Sequence, residues 1–488
     1  MSKAPIFSFV VPVYKKAPEV FERCLKHLFD MSLKEIEVIA VFDGKDKELE
    51  AVAKGFPKVQ SLVIEHGGAS KARNAGSCIA KGRYIACWDA DCFAKPEMAK
   101  RWLEEFEAVP TADFVYTGYE IAGEHGGFDS EPFDAYSLTC GNYISSMAPI
   151  KREKAPQWDE SLPAGQDWDF WLTAVENGCQ GSFIPGAGFV TDTSGDGISS
   201  GAWSPEKREE TIRRVREKHG IGNREIGVYS HNYTQRALKL AKLLGGDLIK
   251  MTGLPPTTYK MVFNFGYGFL SRFEGIAPEV TKIQYWVPGE IEGLAQAPYK
   301  TVMETIRIAK GVINLCNTQY EMNQLSELGI TAEVVSLALL EEDTKKVQTE
   351  LPKEFSILVV CDAAYEPLLK DLPIELPHIK IGFHNGKAEE FSCLLSFYRF
   401  ATVEEPILMA HVNGRNVISN VQAPFCGYID PAQSVEDFKK ELFQRIRETR
   451  SKGLNKEAQA YYLQLANAGK FKEKILSLMP APKLEVIQ

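Results

Sequence analysis

Asp89-Ala90-Asp91 follows the apolar run Tyr84 to Trp88, so two carboxylates stand where a buried strand ends. One can accept hydrogen bonds from a ribose, while the other can reach a hard divalent cation that bridges two phosphates. Taken alone, Asp-x-Asp is an ordinary solvated turn. Upstream, Gly68-Ala69-Ser70-Lys71-Ala72-Arg73-Asn74-Ala75-Gly76 brings glycines together with a guanidinium and an amide. Downstream, Gln166-Asp167-Trp168-Asp169 opens a helical pattern with two acids, which by themselves would satisfy the free amides of a helix start.

These groups need a frame that brings them together. Ile6 to Val13 is β-branched and aromatic, and Phe21, Leu25 and Leu28 follow at helical spacing. Ile36 to Phe42 predicts a second strand, Ala51 to Gly55 the end of a second helix, and Ser61 to Ile64 a third strand. Ala72, Ala75, Cys78 and Ile79 mark a helix that stops at Gly82, and Tyr84 to Trp88 is a fourth strand. Such alternation predicts a doubly wound, mostly parallel α/β sheet with its ligand at the carboxyl ends of the strands. The loops at those ends hold Pro12-Val13-Tyr14, Asp43-Gly44, the glycine-bearing segment and the paired acids.

With that frame, the motifs resemble family-2 glycosyltransferases of the GT-A fold over about residues 5 to 200. Val11-Pro12-Val13-Tyr14 stands where the family has V-P-x-Y/F, which places Pro12 and Tyr14 beside the nucleobase, and Asp43-Gly44 where its acidic turn contacts the base. Gly68 to Gly76 is similar to its G-x-x-x-A-R-N-x-G segment, which puts Arg73 and Asn74 near the nucleotide and diphosphate. Asp89 and Asp91 match its ribose and metal motif, and Asp167 in Gln166-Asp167-Trp168-Asp169 matches the catalytic base of E-D-x-D.

The resemblance implies an inverting transfer from a nucleotide-sugar donor to a saccharide or other hydroxyl acceptor, with manganese or magnesium at Asp91 and Asp89. Trp168 and Trp171 would be placed to stack on a sugar face or to fill the core. Three positions depart from the pattern. Phe42 replaces the first acid of Asp-Asp-Gly, Gln166 replaces Glu, and Asp192 stands where the family often has a metal-binding His. Asp192 is either a substitute oxygen ligand or a loop-surface acid.

Thr191 to Gly201 is Gly-, Ser- and Asp-rich and reads as a lid or linker. A new alternation starts near Arg224, with strands expected at 226–229, 247–251, 261–265, 282–287, 312–316, 333–337, 356–360 and 379–383. Val312 to Tyr320 and Glu404 to Ser419 resemble parts of a GT-B glycosyltransferase, although Met409 stands where that family has the second Glu of its paired acids. The expected organisation is a GT-A catalytic domain at 1–220 and two small Rossmann-like halves at 225–350 and 351–488, joined near Leu351-Pro352-Lys353 and ending in helices from Val435.

In 488 residues, 56 Lys and Arg against 65 Asp and Glu leave a charge of −9. That argues against a broad phosphate-binding face, and no nucleic-acid partner is expected. No apolar run approaches a membrane span and no signal peptide is evident, so a cytoplasmic protein is expected. Ten scattered cysteines make no metal-binding or disulfide pattern, and Cys87 and Cys92 read as packing residues. Other readings are a bifunctional enzyme with two transferase modules and a carbohydrate-binding protein without turnover. A sugar nucleotidyltransferase does not fit, because Pro12-Val13-Tyr14-Lys15-Lys16 stands where its Gly-rich basic loop would follow the first strand.

Overall fold

The computed structural model describes residues 4–479 apart from 124–126, 129, 193–203, 231–233, 251–252, 254, 256–257, 287–289, 296, 317–318, 336–349, 362, 385–389, 398–404, 421–423, 431 and 466–467. The chain divides into two compact units. The first comprises Met1–Asn223 with Ile249–Pro255, and the second Arg224–Leu248 with Pro256–Gln488.

In the first unit the strands are β1 (Phe7–Val13), β2 (Ile36–Asp43), β3 (Val59–Ile64), β4 (Tyr84–Cys87), β5 (Cys92–Ala94), β6 (Phe114–Ile121), β7 (Gly127–Phe128), β8 (Ile150–Lys151) and β9 (Gly181–Thr191). They form one sheet in the order 3-2-1-4-8-6-9-5, with β7 paired to β6. Strands 3-2-1-4 are parallel, and β8 is antiparallel to both its neighbours. The helices are α1 (Pro18–Asp30), α2 (Lys47–Lys54), α3 (Ala69–Ile79), α4 (Met98–Ala108), α5 (Ala135–Cys140), α6 (Gln166–Glu176) and α7 (Pro205–Lys218).

β1, β2 and β4 form because their apolar runs are buried on both faces, as parallel strands between helices require, while β3 is the more exposed edge. Phe7, Phe9, Trp88 and Trp102 are fully buried among them. At Gly76 a Cβ would come within 2.3 Å of Val10 Cγ1 and 2.9 Å of Val41 Cγ2, so glycine is what lets α3 lie this close to β1 and β2. Residues 111–163 hold β6, β7, β8 and α5.

In the second unit, β10 (Ile226–Ser230), β11 (Asp247–Leu248), β12 (Met261–Phe265), β13 (Thr281–Tyr285), β14 (Ile313–Cys316) and β15 (Glu333–Val334) form a parallel sheet in the order 11-10-12-13-14-15. A second parallel sheet takes β16 (Ser356–Cys361), β17 (Lys380–Phe383), β18 (Cys393–Phe397), β19 (Asn416–Ser419) and β20 (Cys426–Tyr428) in the order 17-16-18-19-20. The strand expected at 247–251 stops at Leu248 because the chain then contributes Ile249–Pro255 to the first unit. Phe438, Leu442 and Ile446 line the buried face of the helix Val435–Arg450. No helix among the described residues is long and apolar enough to cross a membrane.

Most of the expected lid or linker, from residue 193 on, lies outside the described residues, as do Glu341 to Asp343, just ahead of the expected joint, and Glu404. Leu351 to Lys353 lie just ahead of β16, outside helix and strand, and Met409 lies within the helix Glu405–Val412.

Candidate functional site

The chain runs from β1 outward to β2 and β3, then returns to the other side of β1 as β4. Open α/β sheets bind ligands at such a reversal, here at the carboxyl ends of β1 and β4. Lys15 and Lys16 follow β1, and Asp89 and Asp91 follow β4.

The turn of paired acids is clamped from below. Trp88 donates its backbone N–H to the Val10 carbonyl at 2.7 Å and its indole N–H to the Cys92 carbonyl at 3.0 Å. The Cys92 amide closes the turn onto the Asp89 carbonyl at 3.1 Å. Across it, the Asp192 amide donates to the Asp91 carbonyl at 3.1 Å, so the end of β9 borders the same turn.

Each acid of the pair meets its own cation. Arg73 Nη2 lies 3.0 Å from Asp89 Oδ1, and Nη1 donates to Gln166 Oε1 at 3.2 Å. The guanidinium is 9% exposed and lies 4.5 Å over the Trp158 ring, so it is fixed on two sides. Gln166, the departure from the family pattern, is thus an acceptor for Arg73, and one fork joins the end of β4 to the start of α6. Asp91 instead meets Lys16, whose Nζ lies 2.5 Å from Oδ2. Ahead of it Lys15 has φ +46°, a left-handed conformation that costs a non-glycine residue roughly 1–2 kcal/mol.

Among the described residues, no three His, Cys, Asp or Glu side chains gather into a group that could hold a metal ion. Two neighbouring carboxylates suit an ion such as magnesium or manganese, which binds through one or two carboxylates and takes its other ligands from phosphates and water. The donor set therefore fits a metal that arrives with a diphosphate.

At the start of α6, Asp167 Oδ1 accepts the Trp168 amide at 2.9 Å and Oδ2 accepts Asn142 Nδ2 at 2.8 Å. Burial pushes its pKa up, against the pull of the Trp168 amide and of Arg73, and the Asp89 charge adds to the rise. Asp169, two residues on, is 1% exposed, and its Oδ1 receives His219 Nε2 at 2.8 Å and Lys218 Nζ at 2.7 Å. Within this motif Asp169 anchors α6 to the end of α7, while Asp167 is held by the Trp168 amide and Asn142.

Asp43, expected to contact a base, bonds the turn that leads into α3. Asp43 is 3% exposed and accepts the amides of Gly67 at 2.7 Å and Gly68 at 2.9 Å, together with His66 Nδ1 at 2.9 Å. Gly68 begins α3 at φ +92°, a conformation glycine supplies without strain. Tyr14 is half exposed and stacks on the His66 ring, with centroids 4.5 Å apart and planes 13° apart. Pro12 lies within β1.

Asn74 holds the 158–160 loop, donating to the Trp158 carbonyl and Glu160 and accepting the Trp158 amide at 2.9 Å. Trp168 and Trp171 are both buried, and Trp168 donates to the Leu138 carbonyl at 2.7 Å, so neither offers a face to a sugar. Cys87 and Cys92 are buried and free, as packing residues are, and burial raises Cys87 to about 11. Sequence reasoning did not identify Lys16, His66 or Asn142 as site residues. Lys16 and His66 stand in the very loops it singled out, while no motif surrounds Asn142.

Residues 8–153 match the family model described as Glycosyl transferase family 2. The "Uncharacterized glycosyltransferase YwdF" of Bacillus subtilis is 28% identical over 232 residues, 44% of this chain and 84% of that protein. "Glycosyltransferase GlyG" of Streptococcus pneumoniae is 31% identical over 127 residues, and the match spans 25% of this chain and under half of that protein, 42%. Among solved structures, that of S. aureus TarS 1-349 covers 43% of this chain and 64% of its own at 21% identity, with a TM-score of 0.35.

Proposed function

Because the first part of the chain, residues 8–153, is a glycosyl transferase family 2 domain, we propose that the protein is an inverting, metal-dependent glycosyltransferase using a nucleotide-activated sugar. The donor diphosphate lies at the carboxyl ends of β1 and β4. A divalent ion held by Asp91, with Asp89 beside it, would neutralise the departing nucleoside diphosphate. Asp167 takes the proton from the acceptor hydroxyl, whose oxygen attacks the anomeric carbon. The bond from that carbon to the diphosphate oxygen breaks, its electron pair leaves with the diphosphate, and the anomeric configuration inverts. Tyr14 and Pro12 border the base, and Asp43 shapes that border by fixing the 66–68 turn and His66.

The observation that carries this reading is the Arg73 fork. By binding Asp89 and Gln166 together it brings the donor turn and the start of α6, with Asp167, into one group. Burial that raises the Asp167 pKa suits a group that must accept a proton. The experiment is a panel of nucleotide sugars, each with manganese or magnesium and a set of saccharide acceptors, read as release of nucleoside diphosphate. Turnover with at least one donor is expected, with loss on chelation and in Asp91→Ala. Full activity in excess chelator, or in Asp91→Ala, would refute the metal assignment.

A further inference from the structure

Lys16 belongs to no motif, yet it makes the closest contact of the whole candidate site. Its ammonium lies 2.5 Å from Asp91 Oδ2, and the two side chains are 21% and 20% exposed. The neighbouring pair is built otherwise. Arg73 is buried, forked onto two acceptors and packed on Trp158, so it cannot leave Asp89 without dismantling its surroundings. Lysine carries a compact charge on a flexible four-carbon stem and can exchange partners by rotation alone. The left-handed turn at Lys15 delivers that stem to the carboxyl edge of β1, beside the end of β4. A strained residue at such a place is a reason to ask what the following side chain does.

We propose that Lys16 is an exchangeable counter-cation of the donor site. Without donor it neutralises Asp91; when a divalent ion and a diphosphate arrive, it yields Asp91 to the ion and turns to a diphosphate oxygen. This rests on the reading of Asp91 as a metal ligand. The charges support the exchange: an ion approaching Asp91 alone must displace an ammonium, whereas an ion arriving with a diphosphate brings the anion that receives it. Metal binding is thereby coupled to donor binding, and the leaving group is neutralised by a side chain as well as by an ion.

The test uses the full chain and reads binding. Free manganese is followed by electron paramagnetic resonance without nucleotide, in wild type, Lys16→Met, Lys16→Arg and Lys16→Met/Asp91→Asn. Lys16→Met should bind manganese roughly three- to tenfold more tightly, the scale of one partly exposed ion pair plus a relieved repulsion. The double variant should lose that gain, and Lys16→Arg should keep the wild-type affinity. UDP and GDP, titrated in saturating magnesium, should bind Lys16→Met more weakly than wild type. Unchanged manganese affinity in Lys16→Met, a gain that persists without Asp91, or unchanged binding of both nucleotides would overturn the proposal. Failure of the underlying reading is seen separately: Asp91→Asn alone would then leave metal-dependent release of nucleoside diphosphate unaltered, whatever Lys16 does.

Discussion

Asp167→Asn is the substitution that separates a base from a helix-start acid, and the site geometry sets its size. The wild-type carboxylate accepts twice, from the Trp168 amide at 2.9 Å and from Asn142 Nδ2 at 2.8 Å. An asparagine can keep the first bond but then turns an N–H₂ group toward the N–H₂ of Asn142. Asn142 cannot flip freely, because its Oδ1 accepts the Ile144 amide at 3.2 Å and its Nδ2 donates to the Ile144 carbonyl at 3.0 Å. One lost bond and two facing donors should lower stability by about 1–3 kcal/mol. Removing a positioned base should cost roughly a hundredfold to ten-thousandfold in kcat, equivalent to about 3–5 kcal/mol of barrier. Adding Asn142→Asp restores an acceptor opposite residue 167 and should recover part of the melting temperature. It should recover none of the rate. Donor Kd, kcat and thermal unfolding are measured on wild type and both variants. A rate near wild type in Asp167→Asn, or a rate that returns with the melting temperature in the double variant, would refute the base assignment.

Four further outcomes are expected. Since the Asp167 pKa is raised, its carboxylate is lost as pH falls through a value above the ordinary aspartate range, about 3.9; the acid limb of kcat/KM should lie above that value and vanish from the residual activity of Asp167→Asn. Burial disfavours charge on His219, but Asp169 and Glu176 together outweigh it and raise its pKa. Its contribution to stability should be complete below about pH 6.5 and fade as pH rises through the folded value, a dependence that unfolding of His219→Gln should lack. Lys250 Nζ lies 2.5 Å from Glu131 Oε1 and 4.0 Å over the Tyr143 ring, so Lys250→Met should destabilise the first unit by roughly 1–3 kcal/mol in denaturant unfolding, and an unchanged midpoint would count against this contact. We propose divisions near 200–225 and 350 that make 1–220, 225–350 and 351–488 separate domains; limited proteolysis should cut first near 200–225, and isolated 1–220 should melt below the same unit in the intact chain because it lacks Lys250.

Local chemistry made the first unit legible. Ile36 to Phe42 or Tyr84 to Trp88 can scarcely be anything but buried strands, and Gly68 to Gly76 marks a helix start pressed against them. The central acids could be placed at strand ends from that pattern alone. β18, by contrast, is Cys393-Leu394-Leu395-Ser396-Phe397, a short apolar run whose periodicity does not tell strand from helix. Asn142 meets Asp167 across 25 positions, and Lys16 meets Asp91 across 75. Neither pairing has a local signature, because the site is made by strand order. Asp43 was legible as an acid on a loop, but three donors waiting 23 to 25 residues downstream decide what its oxygens do.

The return of Ile249–Pro255 to the first unit has a consequence for how the protein is made. A domain whose chain is continuous can finish folding soon after its last residue leaves the ribosome. Here that moment is postponed: β10, the helix Thr234–Leu244 and β11 must be synthesised before Lys250 can reach Glu131. At synthesis rates of 5–20 residues per second the wait between residue 224 and residue 255 is roughly two to six seconds. During it Glu131 and Tyr143 lack the Lys250 contact on the nascent chain. Any exchange of the second unit for another module, by gene fusion or by design, must carry this seven-residue insert along with the first.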